Sequence, residues 1–160
     1  MLEYFSENLE SIKKWCNTLQ HEKTDVLPPL APPLSRVKTI KNPVETSYAL
    51  PQVLDKDSIR SLALFELYPG CYVSSHNHRD SSYVYVKNNK VINVPWDGIP
   101  YKTTHIVLET NPDAYFVVGH EKHRWDLNTV IEFDVLHKDH WAENPGNTKI
   151  KFLYIDYYDC

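Results

Sequence analysis

Apolar residues repeat at two different periods along this chain, and the change of period divides it. Phe5, Leu9, Ile12, Trp15 and Leu19 recur at steps of four, three, three and four, one stripe of a helix expected over residues 2–22. Glu3, Glu7 and Glu10 lie early in it and Lys13, Lys14 and Lys23 late, the order that the helix dipole prefers. A narrow stripe of this kind is expected to pack against the rest of the molecule. From Ile59 onward the pattern becomes alternating or shows short apolar runs. Strands are expected at Ser61–Tyr68, Val73–Asp80, Tyr83–Val86, Val91–Val94, His105–Leu108, Tyr115–Val118, Thr129–Val135 and Ile150–Tyr157. Pro69-Gly70, Asn88-Asn89, Asn111-Pro112-Asp113, Gly119 and Asn144-Pro-Gly-Asn147 separate them as turns. Many short strands at this spacing mean an all-β sandwich or barrel.

Between the two regions lies Leu27-Pro-Pro-Leu-Ala-Pro-Pro-Leu34, where proline fixes φ and removes amide donors. An extended strap is expected there, followed by pieces broken at Pro43 and Pro51. Pro29-Leu-Ala-Pro32 with nearby Arg36 also fits a Pro-x-x-Pro ligand, but a strap joining two ordered segments is the plainer reading. The expected organisation is one domain over 1–160: helix at 1–25, proline-rich and irregular region at 26–58, β core at 59–157.

Composition narrows the function classes. A net charge of −4 disfavours an electrostatic nucleic-acid binder, which needs a basic face. No apolar run approaches the roughly 18 residues of a membrane span. Cys16, Cys71 and Cys160 are scattered, odd in number and without Cys-x-x-Cys spacing, so a reducing, cytoplasmic setting is expected.

The candidate chemistry sits in Gly70-Cys-Tyr-Val-Ser-Ser-His76-Asn-His78-Arg-Asp80. If this stretch is extended, His76, His78 and Asp80 share one face at roughly 6.5–7 Å intervals, near enough for two side chains to converge on one metal. A further ligand must come from elsewhere, and His140 in His140-Trp-Ala-Glu-Asn144 is the best placed. Isolated surface histidines are the bland alternative; two at strand alternation with an acid beyond and a distal histidine are a rarer combination. His120-Glu-Lys-His123 also has ligand-like spacing, but it follows Gly119 in an expected hairpin turn and reads as exposed loop. His137 is a competitor for the distal position, and Cys71 is expected to be a small buried hydrophobe.

Gly70-x5-His76-x-His78 with His140-x3-Asn144 resembles the two cupin motifs. More of the chain, about residues 59–157, is similar to the aspartyl/asparaginyl β-hydroxylase family of iron(II)- and 2-oxoglutarate-dependent oxygenases. The likeness runs through Phe65-Glu-Leu-Tyr-Pro69-Gly70, His105-Ile-Val-Leu-Glu-Thr110-Asn111-Pro112, Tyr115-Phe-Val-Val-Gly119, the Trp125 region, Val130-Ile-Glu-Phe-Asp134, His140 to Asn144 and Phe152-Leu-Tyr-Ile-Asp156. It implies a mainly β fold, a double-stranded β-helix (cupin or jelly-roll barrel) preceded by the α-helix. It implies Fe(II) and 2-oxoglutarate, with a hydroxylase acting on an amino acid, a peptide side chain or another small molecule. His76 and His140 would be iron ligands and His105 a contact to the cosubstrate carboxylate.

Two departures qualify the likeness. Spacing from Gly70 places His76 and His78 at the metal, whereas a His-x-Asp pair would be His78 and Asp80, with His76 behind them; both remain open. The arginine that the family carries about ten residues after its distal histidine is replaced by Ile150, between Lys149 and Lys151. Either lysine could supply the charge, though as a point donor and not a planar fork. The arginine often preceding the His105 position is also absent, with Thr103-Thr104 in its place. A cupin-type enzyme with a three-histidine site and no 2-oxoglutarate, and a non-catalytic β-helix binding module, are the competing expectations.

Overall fold

The computed structural model describes residues 2–18, 36–41, 58–79, 83–87, 90–94 and 96–158. The proline strap, the breaks at Pro43 and Pro51, Asp80 and Cys160 lie outside them.

The expected single helix is two consecutive ones, α1 (Leu2–Glu7) and α2 (Leu9–Thr18), with residues 19–22 outside the described set. They divide at Asn8, where both the amide nitrogen (3.1 Å) and the side-chain Nδ2 (2.9 Å) donate to the Tyr4 carbonyl. An amide side chain competing for a helical carbonyl is the usual way asparagine interrupts a helix.

Eleven strands follow among the described residues. They are β1 (Arg36–Lys41), β2 (Ile59–Leu67), β3 (Tyr72–His76), β4 (Tyr83–Lys87), β5 (Lys90–Val94), β6 (Tyr101–Glu109), β7 (Tyr115–Val118), β8 (Glu121–Arg124), β9 (Val130–Phe133), β10 (His140–Glu143) and β11 (Ile150–Tyr158). A five-stranded sheet runs β1-β2-β11-β6-β9, a four-stranded sheet β3-β10-β7-β8, and β4-β5 pair separately as the expected hairpin. All pairings are antiparallel.

β2 is buried along nearly its whole length because both faces of the large sheet are covered. On the outer face Phe5, Ile12 and Cys16 of the helices pack on Leu62, Leu64, Ile106, Leu153 and Ile155. Burial there pushes the Cys16 thiol up to about 12. On the inner face Leu67, Val107, Ile150 and Phe152 meet Phe116, Val118 and Ala142 of the four-stranded sheet, with Trp125 between. Side chains alternate with period two, so neighbours on β11 serve different cores: Leu153 and Ile155 the outer, Phe152 and Ile150 the inner.

Two asparagines tie the ends of the sheets together. Asn144 is fully buried; its Nδ2 donates to the carbonyls of Leu67 (2.8 Å) and Thr148 (2.9 Å), and its Oδ1 accepts from Asn111 Nδ2 (2.9 Å) and the Gly146 amide (3.1 Å). The Asn144 carbonyl accepts from the amide of Gly70, whose φ of 75° completes the turn ahead of β3. A side chain at Gly146 would place Cβ 2.4 Å from Asn111 Oδ1, so the turn needs glycine there.

Candidate metal centre

His76 ends β3 and His140 opens β10, and the two stand opposite each other in the ladder. Between this pair and the next, Ala142 opposite Val73, β3 carries one extra residue. Such bulges bend a strand and re-aim its side chains. β3 stops at His76, not at Asp80 as the alternation suggested, and Asn77–Arg79 turn away. The turn is held by the His78 amide donating to the Val135 carbonyl (2.9 Å) and that of Arg79 to Leu136 (3.1 Å).

This turn lays the His78 ring beside His76. Ring centroids are 5.3 Å apart for His76 and His78, 4.3 Å for His76 and His140, and 4.9 Å for His78 and His140. One nitrogen from each lies within 4.8 Å of the others. Asp80 is outside the described residues, so its place beside the cluster is not part of this geometry.

Local contacts occupy the far sides of two rings. His78 Nδ1 is 3.0 Å from the Tyr101 hydroxyl and 3.4 Å from that of Tyr154. His140 Nδ1 is 3.2 Å from the Lys138 carbonyl, where it donates. In both rings the nitrogen so engaged is Nδ1. Burial, then the neighbouring His76, pulls His140 down to about 4. Burial first, with His140 and His76 next, holds His78 well below the ordinary histidine range. Neutral imidazoles at neutral pH are the state that a metal needs.

His105 lies one step deeper on the inner face of β6. Trp125 Nε1 donates to its Nδ1 (3.1 Å), and since indole only donates, the neutral ring carries its proton on Nε2. Phe152 stacks on it at 4.1 Å and Phe133 meets it edge-on at 4.5 Å. Burial, followed by His140, keeps it far below its usual value.

Lys149 and Lys151 do not reach this cluster. Lys151 shares the outward parity of Leu153 on β11 and pairs with Glu109 (3.8 Å), while Nζ of Lys149, just before the strand, pairs with Glu66 (2.7 Å) and Glu109 (3.6 Å). Lys151 also bears electrostatically on Cys16 of α2, beyond the outer face. Both lysines, expected as cosubstrate contacts, are thus engaged by glutamates in this structure. Ile150, which does face inward, is fully buried among apolar groups.

His137 is exposed and bonded to Asp134 (3.2 Å), apart from the cluster. His120 is in the two-residue turn after Val118 as expected, but His123 belongs to β8 and stacks on Phe116 at 5.1 Å. Cys71 is buried in the inner core, as a small hydrophobe would be.

Sequence reasoning missed a polar group beside the histidines. Asp156 is fully buried; Ser61 Oγ (2.6 Å), Thr103 Oγ1 (2.5 Å) and the Tyr154 hydroxyl donate to it, and Arg60 Nη1 is 3.7 Å away. Burial raises the Asp156 carboxyl, and these donors oppose the rise. Tyr101, Thr103 and His105 occupy alternate positions on β6, as do Phe152, Tyr154 and Asp156 on β11, so alternation from His105 and Phe152 could have found them.

No family model matches the chain, and no curated protein matches it either. Solved structures do. The plu4264 protein from Photorhabdus luminescens superposes with TM-score 0.53 at 13% identity, over 89% of this chain and 86% of that one. A Cupin 2 conserved barrel domain protein from Salinispora arenicola gives 0.51 at 11% identity, over 88% and 86%. At such identities the likeness concerns the fold: this chain is a mainly β, double-stranded β-helix of cupin type, with small helices at its N-terminal side. Among the described residues no helix is long and apolar enough to cross a membrane.

Proposed function

We propose that this chain is a cupin-type metalloenzyme in which His76, His78 and His140 hold one divalent transition metal and a small molecule binds directly at the positions left open. The observation that carries this is the convergence of three imidazole nitrogens within 4.8 Å from two strands and a turn. The donor set fits such an ion: burial holds His78 and His140 below the ordinary histidine range, and Nδ1 of each is engaged elsewhere. Three nitrogen donors suit iron, zinc, nickel or manganese; iron is favoured only by the resemblance. A bound ion would supply a Lewis acid or redox centre. The chain's own part is to hold the three ligands through the β3 bulge and the 77–79 turn, with Phe116, Phe133 and Phe152 packed around His105. His105 would offer its Nε2 proton to the bound molecule.

The ordered motifs across 59–157 favour a second reading, an iron(II)/2-oxoglutarate oxygenase hydroxylating an amino acid, peptide side chain or small molecule. Its expected anchors do not fit, because Lys149 and Lys151 face outward and Ile150 is apolar. Metal analysis of protein purified without chelator tests both readings, which expect about one ion per chain. Stoichiometry far below one overturns both. Iron-loaded protein that fails to bind 2-oxoglutarate or to form succinate from it overturns only the second.

A further inference from the structure

Two of the histidines here have a partner that fixes which ring nitrogen carries the proton. His140 Nδ1 meets the Lys138 carbonyl (3.2 Å), which only accepts, and His105 Nδ1 meets Trp125 Nε1 (3.1 Å), which only donates. At His78 the partners of Nδ1 are hydroxyls, Tyr101 at 3.0 Å and Tyr154 at 3.4 Å, and a hydroxyl can act either way. The direction matters for an ion. A ligating ring is neutral, has one proton, and must keep it on the nitrogen turned away from the metal. A hydroxyl donating to Nδ1 would put that proton on Nε2 and block it.

Strand register supplies the direction. Asp156 stands two residues beyond Tyr154 on the same face of β11, opposite Ser61 of β2 on one side and Thr103 of β6 on the other. Both neighbours donate to it, Ser61 Oγ to Oδ2 (2.6 Å) and Thr103 Oγ1 to Oδ1 (2.5 Å), and the Tyr154 hydroxyl donates as well. The carboxylate is fully buried, and Arg60 Nη1 stands 3.7 Å from it, at the bulge where Ser61 pairs with Asp156 but Ile59 with Tyr157. A carboxylate in this charged setting only accepts, so the single hydrogen of Tyr154 is committed to Asp156. The Tyr154 oxygen then meets His78 as an acceptor, and Nδ1 must be the donor. The nearer hydroxyl is not steered in this way: Arg60 lies over the Tyr101 ring, 4.5 Å from the centroid, a contact that does not fix where its hydrogen points.

We propose that Asp156 is a positioning residue for the metal site: acting through the Tyr154 hydroxyl, it keeps the His78 proton on Nδ1 and leaves Nε2 as the ligand atom. The side chains of Asp156 and Tyr154 thus do for His78 what the Lys138 carbonyl does for His140. An Asp156 that served only as counter-charge to Arg60 would affect stability and leave the His78 proton where it is. The inference rests on the metal reading.

The test uses the whole chain and two readouts. Long-range proton–nitrogen correlation spectra of metal-free, isotope-labelled protein at neutral pH show which nitrogen of each histidine is protonated, the His78 signals being identified by their loss in His78→Gln. Calorimetric titration with cobalt(II) gives the metal affinity. Wild type is expected to carry the His78 proton on Nδ1. Asp156→Asn, where Tyr154 can turn its hydrogen to the ring, and Tyr154→Phe, where Tyr101 can donate instead, are expected to move that proton to Nε2. Both are expected to weaken cobalt binding roughly 10- to 100-fold, the usual worth of a group that supports a ligand, with the His140 proton unmoved. Tyr154→Phe keeps the ring and decides the matter should Asp156→Asn fail to fold. Tyr101→Phe removes the nearer hydroxyl and is expected to leave the proton on Nδ1. Cobalt bound by wild type with the His78 proton on Nε2, or either readout unmoved in Tyr154→Phe, overturns the inference alone. Wild-type protein that binds no cobalt overturns the metal reading beneath it, and the inference with it.

Discussion

On the outer face of the five-stranded sheet, Leu62, Leu64, Leu153 and Ile155 meet Phe5, Ile12 and Cys16 of the helices. On the inner face the same sheet sets Tyr154 against His78, with Thr103 and Asp156 bonded together beside it and His105 held by Trp125. The charged residues follow the same division: Lys149 and Lys151 pair outward with Glu66 and Glu109, while Arg60 turns inward at a bulge. One step along a strand therefore separates a residue that holds the fold from one that can touch a ligand. Removing an outer residue should change stability and leave metal affinity alone; removing a cluster histidine should do the reverse.

The largest effect is expected from His76→Ala or His140→Ala, each lowering cobalt affinity by about 100-fold or more, since even residues supporting a ligand are typically worth 10–100-fold. Calorimetric titration checks it, and thermal unfolding of the metal-free variants should match wild type closely. On the outer face Leu153→Ala should cost about 2–5 kcal/mol in urea unfolding and leave cobalt affinity unchanged. If Leu153→Ala also abolished metal binding, the two faces would not be separable.

Acid should act through the inner face. His140 is held down at about 4 in the fold against 6.5 for an unperturbed ring, so between these values the unfolded chain binds the extra proton. Protonation therefore costs the fold nothing above pH 6.5 and progressively more as pH falls toward about 4, at most about 3 kcal/mol. Denaturant titrations of the metal-free protein across that window should show a slope that His140→Gln flattens.

Asn144→Ala should cost about 1–3 kcal/mol, because it strands buried donors and acceptors at the sheet ends. The smallest effect is expected of Lys151→Gln, whose ion pair spans 3.8 Å to a half-exposed Glu109: within about 1 kcal/mol in urea unfolding, with no change in cobalt affinity.

Much of this division was legible in the sequence. The strand at Tyr115–Val118, the β4-β5 hairpin and the pairing of His76 with His140 follow from alternation, turn residues and motif spacing. Charge alone singles out Lys149 and Lys151, whereas the parity that Phe152 sets on β11 turns Lys151 to the opposite face, toward Glu109. Arg60 was not legible, because a bulge breaks the alternation that would locate it. The inward fold of His78 depends on amides bonding to Val135 and Leu136, some sixty residues away, which no local pattern reveals. The bond from Trp125 to His105 is likewise a product of tertiary packing.

The central claim is that three histidines bind one ion. X-ray absorption on zinc-loaded protein tests it most directly. The account predicts three imidazole nitrogens at about 2.0–2.1 Å, completed by oxygen donors. A shell with one imidazole or none, or with sulfur at about 2.3 Å, would contradict it.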